Sequence, residues 1–536
     1  MMEYPLLLRG ILERSRKLFP KKEIVSRDYT GIWRYNYGDF YKRVCRLANV
    51  LQEMGIHKGD RVATLAWNNH RHLELYFGVT CYGALLHTLN LRLFTEQLEY
   101  VINHAEDKVI FVDQDLLPLL EGIKDKLPTV QAYIVMTDSD ELPATGLNPV
   151  YSYEKLLAAA PDAFDFPEDL DEYTPAAMCY TTATTGDPKG VIYTHRGLYL
   201  HSMCIGLADS LALSETDSLL PIVPMFHVNA WGLPYACTWF GSKQVLPGAR
   251  PDPATICKLI EEEKVTLAAG VPTIWMAVLA AYRQQKFDFS SVRGFVCGGS
   301  AAPKALIKAF DEEIGVPILH AYGMTETTPV VLVSKPKSYM LDWPADQLYD
   351  AKAKQGLLVP GLEMKVVDEE GREAAWDGKQ IGELWLRGPW IAKEYYKDPE
   401  RSKPAFAGGW LHTSDIVSVD KEGFVSIVDR AKDLIKSGGE WISSVDLENT
   451  IMAHPAVQEA AVVAMPHEKW VERPVACVVI REDWKGRLSE ADIISFLEDK
   501  VAKWWLPDKV IFVDEIPKTS VGKFNKKALR QRLEQA

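Results

Sequence analysis

Apolar positions along this chain follow two rhythms in alternation. Over residues 39–56 (DFYKRVCRLANVLQEMGI) they recur every three or four positions, which predicts a helix with one buried face. RVATLAW at 61–67 then reads as a short strand. Phe77–Leu86 and Leu98–Asn103 are predicted helical, and Val109–Val112 a fully buried strand. A second strand–helix series runs through Ser218–Pro221, Lys243–Leu246, Pro253–Lys264, Thr266–Ala269 and Val292–Cys297. Beyond about residue 360 the texture changes to short β-rich pieces, Met364–Val367, Gly382–Arg387 and Gly423–Val428, separated by Gly and Asp turns. The last hundred or so residues carry predicted helices at Ser444–His454 and Ser489–Lys500. Strands are predicted there at Ala460–Ala464, Val475–Ile480 and Lys509–Val513, before a basic tail. Alternation of this kind predicts an α/β fold in layers.

Length divides that fold. A chain of 536 residues exceeds what one hydrophobic core organises. The charged run Asp429–Asp433 interrupts two apolar strands, so a large multi-subdomain unit is expected over residues 1–429 and a small mobile α/β unit over 430–536. A net charge of -13 disfavours a nucleic-acid coat or an anionic membrane as the main partner. The eight cysteines are scattered without a C-x-x-C pair, and buried reduced thiols are expected. Arg9 breaks the apolar N-terminal patch, and no apolar run approaches the length of a membrane span, so the expected location is the cytoplasm. His70, His72 and Glu74 lack zinc-ligand spacing and read as a solvated helix face.

The strongest chemical signal is Tyr180-Thr181-Thr182-Ala183-Thr184-Thr185-Gly186-Asp187-Pro188-Lys189-Gly190, directly after the predicted strand Ala176–Tyr180. Hydroxyls, backbone N–H groups and one lysine are what a polyphosphate needs. The loop is not G-x-x-x-x-G-K-[ST], which disfavours a P-loop kinase or GTPase. By composition alone it would be a solvated turn. The ordered run T-T-G-x-P-K-G, with motifs spread from about residue 20 to 530, resembles the adenylate-forming superfamily of acyl-CoA synthetases, luciferases and peptide-synthetase adenylation domains.

That resemblance implies roles residue by residue. Thr181, Thr182, Ala183, Thr184, Thr185, Gly186 and Lys189 would grip the phosphates of ATP. Gly298, Gly299, Ser300 and Ala301 would border the adenine and the acid, and Tyr322 with Gly323 would pack on the ring. Thr325 would donate to the α-phosphate, and Glu326 with Thr184 would hold Mg²⁺. Asp415 and Arg430 would take the ribose, Lys432 would be the hinge, and Lys523 would bridge carboxylate and α-phosphate in the transition state. Ser437, Gly438, Gly439, Glu440 and Trp441 would line the path of CoA, the thiol co-substrate. The segment Pro224–Gly232 is similar to the long- and medium-chain fatty acyl-CoA synthetase branch, which implies an acid pocket at His227, Val228 and Trp231.

Two positions depart from the family. Ala183 and Ser414 stand where the pattern carries glycine, and a side chain there costs on the order of 1 kcal/mol if the backbone needs positive φ. The expected activity is therefore ATP-dependent fatty acid–CoA ligation through an acyl-adenylate, in a homodimer. The alternatives are a ligase for a shorter, sulfur-containing or aryl acid, or a nucleotide binder impaired by Ala183.

Overall fold

The computed structural model describes residues 1–181, 187–431, 433–437, 440–519 and 524–535. It is an α/β protein with a large N-terminal domain and a small C-terminal one. Two mostly parallel sheets dominate the large domain. The first has nine strands, ordered Leu357–Leu358, Val330–Val333, Ile318–Gly323, Gly294–Cys297, Leu267–Gly270, Ser218–Pro221, Lys243–Leu246, Glu23–Arg27 and Ile32–Asn36. The second has seven, ordered Val150–Ser152, Ala132–Met136, Val109–Asp113, Arg61–Leu65, Leu85–Thr88, Pro175–Tyr180 and Gly190–Thr194. Their central strands are buried throughout, as continuous apolar runs predict for parallel strands covered on both faces.

A four-stranded antiparallel sheet follows (Glu363–Val367, Ile381–Arg387, Leu411–Val419, Val425–Arg430). The small domain pairs Val457–His467 with Val471–Ile480 as a long hairpin, and Lys509–Phe512 joins it in parallel. The tail is a helix, Lys526–Gln535, and its first residue is anchored. Lys526 Nζ lies 2.8 Å from Glu448 and also reaches Ser444, whose hydroxyl and amide both bond Asp429. All eight cysteines are buried and free.

Two expectations need correction. The predicted helix over Phe77–Leu86 ends at Tyr82, where Gly83 adopts φ 98, and Leu85–Thr88 is a strand. His70, His72 and Glu74 are fully buried rather than solvated, because the helix His70–Tyr82 is enclosed on every side but its last residue. Each of the three side chains has a polar partner that offsets part of the desolvation cost. His72 bonds Thr64 Oγ1 and the Trp67 carbonyl, both at 3.0 Å; Glu74 meets Arg43 and Tyr153, both at 2.7 Å; His70 lies 3.0 Å from Asp28. Burial depresses His72 to about 4.

Candidate active site

Adjacent parallel strands set one side of the site. Cys297 faces His320 in register, so Gly298–Ser300 leave the sheet beside Ala321–Gly323, which stay paired with the strand Val330–Val333. This is the carboxyl end of the strands, where open α/β sheets bind ligands. Gly299 has φ +84, which glycine adopts freely. Ser300 is exposed and Ala301 half-buried beside it. The half-buried Tyr322 donates its phenol proton to Asp415 Oδ2, and Arg430 Nε lies 2.9 Å from Asp415 Oδ1. Asp415 and Arg430 are register partners on neighbouring antiparallel strands. The Asp415 carboxylate raises the guanidinium of Arg430 above its usual range, and burial with Asp415 pushes the Tyr322 phenol up.

The other sheet supplies the cation. Strands Pro175–Tyr180 and Gly190–Thr194 pair antiparallel, with Tyr180 facing Gly190, and the Thr-rich segment connects them in sequence. Its two ends close on each other. Thr181 N donates to the Lys189 carbonyl at 2.9 Å, and Lys189 N donates to Thr181 Oγ1 at 3.2 Å. Lys189 Nζ stands 3.8 Å from Glu326 Oε1. Burial pulls the Lys189 ammonium below its usual pKa, and Glu326 opposes that shift. Tyr193 ties the two sheets together by donating to the Thr325 carbonyl at 2.9 Å, and Thr325 and Glu326 are both buried.

The third element is a strained turn. Val228, Asn229, Ala230 and Trp231 have φ of 45, 52, 47 and 59, a left-handed helical turn of four non-glycine residues. Each costs roughly 1–2 kcal/mol. Asn229 helps hold it, its Oδ1 accepting from Cys179 Sγ at 3.1 Å and its carbonyl from Gly232 N at 2.9 Å. Half-buried His227 precedes the turn, and its carbonyl accepts from Ala230 N at 3.1 Å. The turn aims Trp231 at Gly298: a methyl added to Gly298 would meet the indole at 3.1 Å. Strain of this kind concentrates at binding sites.

Lys189, Glu326, Tyr322, Asp415, Arg430, Trp231 and Gly298 are thus linked in three contacting groups. Ser437 and Trp441 make their described contacts within the small domain, to Arg473 at 3.0 Å and Lys436 at 4.5 Å. Thr182, Ala183, Thr184, Thr185, Gly186, Lys432, Gly438, Gly439 and Lys523 lie outside the described residues, as does the side chain of Glu440.

Sequence reading missed one strap. Residues 392–401 bind both Glu326 and the 187–190 end of the Thr-rich segment. Ala392 N donates to the Glu326 carbonyl at 2.8 Å, Tyr396 N to the Gly190 carbonyl at 2.8 Å, and Arg401 to the Asp187 carbonyl at 2.9 Å. Tyr395 bonds Lys189 and Glu326 together. No local pattern marks it, because its partners are distant in sequence.

The profile of the family described as AMP-binding enzyme matches residues 12–396, and that of the AMP-binding enzyme C-terminal domain matches 446–523. A long-chain-fatty-acid–CoA ligase of Thermus thermophilus is 49% identical over 99% of this chain and 96% of its own. A 3-methylmercaptopropionyl-CoA ligase of Ruegeria pomeroyi is 41% identical over 99% of this chain and 98% of its own. The crystal structure of the anthranilate CoA ligase AuaEII with anthranoyl-AMP superposes with TM-score 0.89 at 27% identity, covering 100% of this chain and 98% of that one. The chain belongs to the AMP-binding enzyme family.

Proposed function

We propose that this protein is an ATP-dependent fatty acid–CoA ligase. In the first step a carboxylate oxygen attacks the α-phosphorus of ATP, giving acyl-AMP and pyrophosphate. In the second, the CoA thiolate attacks the acyl carbon and AMP leaves, giving acyl-CoA. The observation that carries this reading is the convergence of Lys189, Glu326 and the Tyr322–Asp415–Arg430 group from distant segments onto one strand edge.

The roles follow from chemistry. The loop Thr181–Lys189 offers hydroxyls, amides and one ammonium to the β- and γ-phosphates. Asp415, anionic and held by Arg430 and Tyr322, accepts from the ribose hydroxyls while the Tyr322 ring packs on adenine. Glu326 is a hard carboxylate oxygen donor next to the phosphate loop, which suits Mg²⁺, and it would hold that ion together with Thr184. When bound, the ion neutralises charge on the leaving pyrophosphate. Thr325 and Lys523 would stabilise charge building on the α-phosphate. Residues 430–536, turning at Lys432, would then exchange Lys523 for Ser437–Trp441 at the same site, opening the path for CoA. Trp231 and Gly298 bound the acid pocket, with His227 and Val228 in its wall. A cytoplasmic homodimer belongs to the same proposal, and sedimentation of the purified protein tests the dimer.

The fatty-acid assignment rests on the 49% identity to the Thermus ligase, and a sulfur-containing acid is the second reading because of the 41% identity to the Ruegeria enzyme. Pyrophosphate release with straight-chain acids from butyrate to stearate, 3-methylmercaptopropionate and benzoate separates them. The highest kcat/KM is expected among the longer straight-chain acids. A preference for 3-methylmercaptopropionate or benzoate replaces the assignment. No acid-dependent pyrophosphate exchange with any of them, with intact ATP binding, would identify a binder instead.

A further inference from the structure

The hydroxyl of Tyr395 stands between two opposite charges. It accepts from Lys189 Nζ at 2.7 Å and donates to Glu326 Oε1 at 2.8 Å. Lys189 and that same carboxylate oxygen are 3.8 Å apart, well beyond a charge-assisted hydrogen bond. A phenol has a single proton, and here it is committed to Glu326, leaving an oxygen lone pair for the ammonium. The ring is held in place. Its edge contact with Phe406 has a centroid distance of 5.2 Å, and its backbone N–H donates to Ser402 Oγ at 2.9 Å. Tyr395 and Glu326 are both buried.

We propose that Tyr395 is a positioning residue that keeps Lys189 and Glu326 from closing into a direct ion pair, so that both stay available to an incoming polyphosphate and its cation. The inference rests on the nucleotide reading above. A direct pair between these partly desolvated groups would have to be broken before either could meet MgATP, and separating such a pair is costly. The phenol shares the attraction without letting the charges touch, and its two hydrogen bonds can be released one at a time. Removing only the hydroxyl lets the ammonium settle on the carboxylate.

The test is calorimetric binding of MgATP to the full chain, beside steady-state kinetics. Tyr395→Phe is expected to weaken MgATP binding about tenfold and to raise its KM alike, while kcat at saturating MgATP changes less than about threefold. KM for the acid and for CoA should stay put. Tyr395→Gln, whose amide both accepts and donates, should recover part of the loss. In a Lys189→Gln background the Tyr395→Phe change should add nothing, because no ammonium is left to collapse. Parental MgATP affinity in Tyr395→Phe overturns the proposal. So do losses that multiply in the double variant, which would mean that the phenol meets the nucleotide itself or only packs. Failure of the parent protein to bind MgATP overturns the nucleotide reading as well, which separates that case from a failure of Tyr395 alone.

Discussion

Asp415 and Arg430 face each other across one rung of an antiparallel strand pair, with Arg430 Nε 2.9 Å from Asp415 Oδ1. The arginine is the last residue of the strand that leads toward the small domain, so the carboxylate assigned to ribose is coupled to the segment about which that domain would turn.

Asp415→Asn keeps the shape and removes the charge. Hydrogen bonds to charged groups are worth about 1.5–3 kcal/mol, so KM for ATP in acid-dependent pyrophosphate exchange should rise roughly tenfold to a hundredfold. An unchanged KM would remove Asp415 from the nucleotide site.

Gly298→Ala tests the acid pocket. The added methyl would lie 2.8 Å from the Ala321 carbonyl and 3.1 Å from the Trp231 indole, and the first of these is main chain that cannot swing aside. Overpacking of this kind costs about 1–3 kcal/mol, so kcat/KM for the acid should fall at least roughly tenfold with MgATP affinity preserved. Equal losses for acid and nucleotide would show that the glycine serves the fold alone.

Ser414 has φ 59, and its N–H donates to Glu383 Oε1 at 2.8 Å. The family's glycine at this position would relieve left-handed strain that costs a non-glycine residue about 1 kcal/mol or more, while keeping the N–H bond. Ser414→Gly should raise the thermal midpoint by about 1–2 °C. A lower midpoint would show that the serine side chain contributes more than the strain removes.

Buried histidines make one part of the stability acid-sensitive. Burial holds His72, His195 and His320 at about 4 and His201 at about 3, against 6.5 for a free histidine. A histidine depressed in this way contributes its full stability above pH 6.5 and loses it as pH falls toward 4, since the unfolded chain binds the proton first. Asp113, raised by burial to about 7, works in the opposite direction, losing stability as pH rises from 3.8. Burial raises Asp107, Asp429, Glu448 and, to about 6, Asp446 as well, and Asp28 raises His70 against its burial. These groups also gain stability as pH falls, so the histidine effect is read by difference. His201→Gln removes one depressed histidine, so the thermal midpoint of the variant relative to the parent should rise as pH falls from 6.5 to 5. A constant difference across that window contradicts the assignment.

Much of the architecture was legible from residue order. Strand–helix alternation marked most elements within a few residues, and the failure at Phe77–Leu86 has a local cause: an apolar run carries no period when buried on all sides, so Gly83 was the only signal of the break. The enclosed histidines show the same limit, since His70 and His72 look like surface polar residues until folding brings Asp28 to the first and the preceding strand's Thr64 to the second. Resemblance to the family's motifs singled out Lys189, Glu326, Tyr322, Asp415 and Arg430, and the fold brings them into two contacting groups.

The chain alone therefore determined the layered α/β plan, the family and the chemical identity of the residues on the proposed nucleotide loops, because periodicity and short motifs are local properties. Tertiary structure alone decided which of them touch. The spacing of Lys189 from Glu326 by Tyr395, the left-handed turn that sets Trp231 against Gly298, and the positive φ of Ser414 each depend on segments far apart in sequence. Distances of that kind are fixed by packing and backbone geometry, which no stretch of residues encodes by itself.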